Sequence, residues 1–431
     1  MIYKPSNFTF SEVLQKGLGR AFNYVNKNNK LEMREALLNA CLHNLAYDPQ
    51  CESSRAEWLF ELICLTGDRD FYRENIFQAL STTKEFWDLQ QLYDLVLIWA
   101  KEGNKEAREL IYTTFKQQDF NESWLGGDQI IALDGIEGLL SVAEIVGQKI
   151  LEDDELWEDD WLITQAGEQY EASKVWSILE KEALKNIKVK AYLDAVKSHT
   201  KDKTIAKDNR QKNRNQKISL ARIFEIIEQK PNHFYLLSKF GRQATEDNIV
   251  QIFAKLLVET KEKQLVKYLY IFRDKALPRL DSRLFDLALS DNDRIQFAAI
   301  TALANSKDDS LHNLAIELIE KRPKSINNRV LKLLINNYRT EDVKLIESIL
   351  NKSQNIDTKH YIGMDLMEII DTHKTSELIS CCWWIYEQTP CAYCRQSILK
   401  ILISLQQVPQ AIIKECLQDC SADIRALANA Y

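Results

Sequence analysis

DNDRIQFAAITALA, residues Asp291 to Ala304, sets the fold through what it repeats. A polar turn leads into a β-branched residue, then a marker position, then apolar or small residues every third or fourth place: Ile295, Gln296, Ala299, Ala302 and Leu303. That spacing lays one stripe along one side of a helix. Working outward, the marker recurs at Gln296, Arg329, His360, Arg395 and Arg425, in steps of 33, 31, 35 and 30 residues. Nearer the start, Arg34, Arg73 and Arg108 hold the same place, 39 and 35 residues apart, and FYRENIFQAL, Phe71 to Leu80, is the cleanest copy. Self-similarity at such a period marks stacked helical hairpins. One hairpin cannot bury its stripe alone, whereas a neighbour on each side can cover it.

The phrase resembles the second helix of HEAT repeats, where an Asp-rich turn is followed by Val-Arg and then by spaced Ala and Leu. The likeness is good over Asp68 to Leu80, Asp291 to Leu303 and Asp419 to Ala430, fair near Arg34, Arg108, Lys190, Arg329 and Arg395, and absent near residues 120 to 180. Gln296 and His360 depart from the marker Arg, first-helix prolines are mostly missing, and the period is shorter than the usual ~40 to 47. The resemblance implies an all-α, right-handed α-solenoid of HEAT-like hairpins, with the marker Arg bonded to a neighbouring repeat's turn carboxylate. Composition agrees, because 12 Gly and 7 Pro in 431 residues leave few of the residues that tight hairpin turns of sheets need.

No apolar run approaches the ~20 residues of a membrane span, and MIYKPSNFTF lacks the regions of a secretory signal. A cytoplasmic protein with no membrane partner is therefore expected. Nine cysteines, including the adjacent Cys381 and Cys382, fit a reducing compartment. The net charge of −7 weighs against a dedicated nucleic-acid binder, since such binding comes largely from neutralising phosphates.

From Phe10 to Phe115 the pattern predicts five or six amphipathic helices, with Ser53 or Ser54 as an N-cap, Gly67 and Gly103 as terminators, and Trp58, Trp87 and Trp99 in the apolar stripes. Trp124 to Gly147 breaks the rhythm with five glycines. With no strand before it, no GxGxxG and no GK[ST], a phosphate cradle is disfavoured, and close helix crossing is the expectation.

An acidic insertion over residues 149–168 contains EDDELWEDD: Glu152, Asp153, Asp154, Glu155, Leu156, Trp157, Glu158, Asp159 and Asp160, followed by Trp161. The alternating oxygens and central Gly of a calcium loop are missing. The bland reading is a solvated insertion pinned by Trp157 and Trp161; the functional one is an acidic docking surface for a basic partner, anchored by the two Trp. Helices around Tyr170 to Lys185 and Lys188 to Ser198 follow. Lys197 to Lys217 then holds eight Lys or Arg, among them Lys207, Arg210, Lys212 and Arg214, against Asp202 and Asp208. This composition suits a linker, over residues 199–217, between an N-terminal stack (1–198) and a C-terminal stack (218–431). Its four named bases are candidates for an acidic partner, and the lack of interleaved aromatics gives base stacking no support.

Six cysteines lie between Cys381 and Cys420. Cys391 with Cys394, and Cys416 with Cys420, could in principle build a tetrahedral thiolate site. They occupy places where repeats put small apolar residues, so burial as small hydrophobes is preferred, and no metal or cofactor is expected. The histidines at 43, 199, 233, 312, 360 and 373 show no HExxH and no nucleophile motif.

HEAT-like relatives suggest one enzymatic alternative, since some bacterial ones are DNA glycosylases that hold alkylated DNA in a basic groove lined with Trp and a catalytic Asp. Trp383, Trp384 and the basic run suit that reading; the net charge does not, and no motif singles out one Asp. Others are lyases or chaperones that hand a chromophore or a client to another protein. The expectation is a non-enzymatic scaffold or adaptor that binds a protein partner, with no catalytic residue. Its contact residues are expected in the acidic segment with Trp157 and Trp161, in the four linker bases, and at Trp383 and Trp384.

Overall fold

A computed structural model of the chain describes residues 5–27, 30–118, 124–153, 155–199, 218–229, 233–321, 329–350 and 355–431. Every regular element among these residues is a helix and none is a strand. The chain divides into two compact units, Met1–Ser6 with Arg214–Pro409, and Asn7–Asn213 with Gln410–Tyr431. Sequence alone assigns residues 410–431 to the C-terminal stack; their contacts gather them with the N-terminal helices instead.

The unit built from Asn7–Asn213 opens with seven helices among the described residues, from Phe10–Lys16 to Lys105–Gln117. Thr9 starts the first with a capping box to Glu12, and Gly17, at φ 67°, ends it in the left-handed conformation. Arg55 holds the N-cap position of the helix Ala56–Thr66 without a side-chain capping bond, and Ser54 Oγ just before it accepts from the Ala56 amide at 3.4 Å. Trp58 and Trp99 are buried, and Trp99 meets Phe60 and Phe77 edge-on. Alternate helices pack on each other, Ala56–Thr66 on Phe86–Lys101 and the latter on Gly127–Glu152, so each apolar stripe is covered from two sides. The glycines of Gly127–Glu152 serve close approach. At Gly147 a Cβ would overlap the Lys188 carbonyl, and at Gly135, where φ is 61° and the helix kinks, it would strike the Tyr170 hydroxyl.

The helices Gln410–Cys416 and Ala422–Ala430 close onto the start of this unit. Arg20 Nε donates to Glu415 Oε1 at 2.9 Å with both side chains buried. Trp58 Nε1 donates to the Gln418 carbonyl at 2.8 Å, and the Cys420 amide to the Gly17 carbonyl at 3.0 Å. A side chain at Gly17 or Gly19 would collide with Cys420 or with the Glu415 carbonyl.

The other unit runs through helices from Leu220–Gln229 to Ala392–Ser404. Where the copy at Arg329 predicts a helix, Val330–Leu334 forms a short 3-10 turn. In both units polar bonds join residues 30 to 36 positions apart, one period of the sequence. Examples are Arg34 to Asp68 at 2.7 Å, Asn305 Nδ2 to the Phe272 carbonyl at 2.9 Å, Asn336 Nδ2 to the Ala304 carbonyl at 2.8 Å, His312 to Asp342 at 2.8 Å, and Arg329 to Asp365. The exposed pairs among them contribute only about 0–1 kcal/mol each, whereas a fully buried Leu or Ile contributes about 1.5–3 kcal/mol. The stripes hold the helices and the polar bonds fix their register. At the marker, Arg34 meets a later turn's carboxylate, Arg329 a carboxylate within a helix, and Gln296 and Arg425 bond the carbonyls just before their own helices, Ala288 for the first and Asp419 and Cys420 for the second.

Candidate functional site

The acidic segment links the helix Gly127–Glu152 to the helix Trp161–Tyr170, and its described residues between them form no helix or strand. Short side chains organise it locally: Asp153 Oδ1 accepts from the Glu155 amide at 3.1 Å and Asp159 Oδ1 from the Trp161 amide at 2.9 Å. Leu156 packs against the core of the unit, and Glu158 is buried. The pinning residues are therefore Leu156 and Glu158, not the two tryptophans of the bland sequence reading. Trp157 and Trp161 turn outward, 60% and 55% exposed. Neither hangs loose. The Trp157 ring stacks on His199 with centroids 4.7 Å apart and planes 20° from parallel, and Trp161 Nε1 donates to Asp128 Oδ2 at 3.4 Å.

Carboxylates flank these rings along the chain. Glu152 and Glu155 are exposed, and Asp153, Asp159 and Asp160 half-buried. Beneath them, burial first and then Glu158, Asp159 and Asp160 push the Tyr192 phenol well above its ordinary range. Burial likewise raises the carboxyl of Asp128, against the bond from Trp161. The segment is rich in acids, and both indoles are exposed within it.

The remaining expected contact residues fall elsewhere. Asp154, Lys207, Arg210, Lys212 and Arg214 lie outside the described residues. Trp383 is buried and meets Tyr386 edge-on, whereas Trp384 is half-buried. Adjacent places on a helix point about 100° apart, so the pair forms no common platform. Between the helices Leu220–Gln229, Glu262–Ile271 and Asp293–Leu303 lies a groove of about 1220 Å³ that sequence reasoning missed. Phe234, Tyr270 and Phe297 supply its apolar wall, and its rim carries both signs, with Lys261, Lys263 and Arg294 facing Glu228, Glu262 and Asp293. Lys267 Nζ donates to the Ile226 and Ile227 carbonyls at 3.1 and 2.9 Å, and burial, then Lys263, lowers its pKa. It caps a helix end as well as lining the groove.

The cysteines that the sequence expects to be buried as small hydrophobes are buried. Cys391 and Cys394 fall in one unit and Cys416 and Cys420 in the other, and all four are buried. Burial pushes the thiols of Cys381 and Cys382 up to about 12, the range of an inert thiol. Cys391 and Cys394 meet His360, with the donor atoms of the three residues all within 4.8 Å of one another. Among the described residues no helix is long and apolar enough to cross a membrane. In comparisons with known proteins, no family model, no curated protein and no solved structure matches the chain.

Proposed function

We propose that this chain is a helical-repeat scaffold, a HEAT-like α-solenoid, which captures a basic segment of a protein partner on the acidic surface at residues 152–161. Trp157 and Trp161 are the anchors, and Glu152, Asp153, Glu155, Asp159 and Asp160 supply the field. One observation carries the reading: the indoles of Trp157 and Trp161 are exposed in an acidic segment while Leu156 and Glu158, on either side of Trp157, turn inward. A segment that merely solvated itself would place its Trp inside and its acids outside. Stacking of the hairpins draws its support from the polar bonds one period apart and from the packing of alternate helices.

The two groups act on different quantities. Desolvating an indole against a partner's aliphatic or guanidinium surface adds affinity, and central Trp anchors cost 2 kcal/mol or more on truncation, roughly thirtyfold in Kd. The rim carboxylates mainly raise the association rate and fix orientation, an effect that salt screens.

The test compares the tagged full-length chain with Trp157→Ala/Trp161→Ala and with the acidic residues reversed to Lys. A partner recovered by co-purification from the native cell is titrated at two salt concentrations. The indole variant is expected to bind at least about thirtyfold more weakly at both salts. The reversed variant should lose capture at low salt and leave a remainder indifferent to salt, with helical signal unchanged in each. Equal capture by all three proteins would remove the acidic segment from the mechanism. Retention on duplex DNA at physiological salt would favour the glycosylase-like nucleic-acid reading instead, a reading to which the mixed charges of the groove lend nothing.

A further inference from the structure

We infer that His360, Cys391 and Cys394 form a zinc site that ties the first turns of two helices together. Cys391 is the N-cap of the helix Ala392–Ser404 and makes no side-chain capping bond, and Cys394 sits three residues on, in the same first turn. Ser, Thr, Asp and Asn are the residues that cap by accepting a backbone proton. The N-terminal turn of a helix also favours negative charge, which is what a thiolate ligand brings.

His360 comes from the first turns of the helix Ile356–His373. What brings it to the cysteines is Gly363, one turn further along. A Cβ there would overlap the Thr389 methyl, so the glycine lets this helix lie against the turn that leads into Cys391. Lys359 Nζ bonds Gln388 Oε1 at 3.4 Å across the same joint.

His360 Nδ1 and Cys394 Sγ stand 3.6 Å apart. Tetrahedral zinc, with Zn–S about 2.3 Å and Zn–N about 2.05 Å, sets a sulfur and a nitrogen about 3.6 Å apart. Two thiolates and one imidazole are a soft donor set, suited to Zn²⁺ and poor for Mg²⁺ or Ca²⁺. Both cysteines are buried and His360 is half-buried, which leaves an entry path on the histidine side. Water completes the tetrahedron. Binding releases the two thiol protons to solvent, so affinity falls as pH is lowered.

The experiment uses the full-length chain, reduced, stripped with chelator and titrated with Zn²⁺ alone, and with Co²⁺ for its absorption. About one equivalent of zinc is expected, together with the intense visible bands and thiolate charge transfer of tetrahedral cobalt. Zinc should slow alkylation of Cys391 and Cys394 and leave Cys416 and Cys420 unaffected. Loss of an outer-shell partner already costs about 10–100-fold in metal affinity, so His360→Gln, Cys391→Ser and Cys394→Ser should each cost at least that. Cys416→Ser should cost nothing. Far-substoichiometric zinc, or full zinc retained by the three ligand variants, overturns the site and leaves a thiol–imidazole hydrogen bond in its place. Where a variant fails to fold, alkylation of the unmodified chain decides: equal rates with and without zinc reject the proposal.

Discussion

Asp365 is 1% exposed beneath the Arg329 guanidinium, and burial pushes its carboxyl up to about 6 against the pull of that cation. The folded state therefore holds the proton more tightly than the unfolded chain, whose carboxyl titrates near 3.9. The contribution of this group to stability is full below about pH 4 and is lost as pH rises through about 6. Asp365→Asn abolishes the titration, so the stability of the wild type relative to this variant should fall by up to about 3 kcal/mol between pH 4 and pH 7. Urea unfolding at four pH values measures it, and a difference that stays constant with pH would refute the assignment. Arg329 also holds φ at 63°, a left-handed conformation that costs about 1–2 kcal/mol and that its bonds to Asp365 offset. Some of these meetings were legible in the chain itself. His360 and Cys394 are 34 residues apart, one period, as are most of the polar bonds above, so reading partners one repeat away would have found the pair. The groove with Lys267 gave no such signal, because its lining comes from several helices and follows no single periodic stripe.

At the scale of elements, the glycine-rich stretch Trp124 to Gly147 was readable as close crossing because glycines cluster in a helix only when something must come near. Gly147→Ala would push a methyl into the Lys188 carbonyl. Overpacking of this kind costs about 1–3 kcal/mol, whereas Gly103→Ala meets open space and pays only for its φ of 95°. Thermal unfolding of both variants checks the contrast, and equal melting temperatures would show that the helix shifts freely. The acidic segment was legible as a loop but its inside and outside were not. Charge repulsion says that the chain leaves the helix there; it does not say that Leu156 rather than Trp157 faces the core. Trp383 and Trp384 failed as a pair for the complementary reason, since neighbours in sequence are not neighbours on a helix face.

At the scale of the molecule, sequence periodicity identified what repeats but not which copies touch. Residues 410–431 repeat the marker phrase, yet they seat on the helices Arg20–Lys27 and Ala56–Thr66 through Glu415 and Gln418, and on Gly17 through Cys420. Only the bare backbone at Gly17 and Gly19 hints at that approach, and two glycines do not name a partner some 400 residues away. Deleting residues 410–431 should therefore loosen the opposite end of the chain. Amide exchange in Phe10–Lys16 and Ala56–Thr66 is expected to quicken at least tenfold, and unchanged protection there would show that the early helices stand without this cover. The arrangement also has a cost in time. Translation at ~5–20 residues per second spends on the order of ten to forty seconds between the emergence of residue 213 and that of residue 410. Throughout that wait the nascent N-terminal unit presents an uncovered seat, a natural landing place for a holdase. A ribosomal pause upstream of codon 410 lengthens the exposure, and a pause after residue 431 has left the tunnel does not.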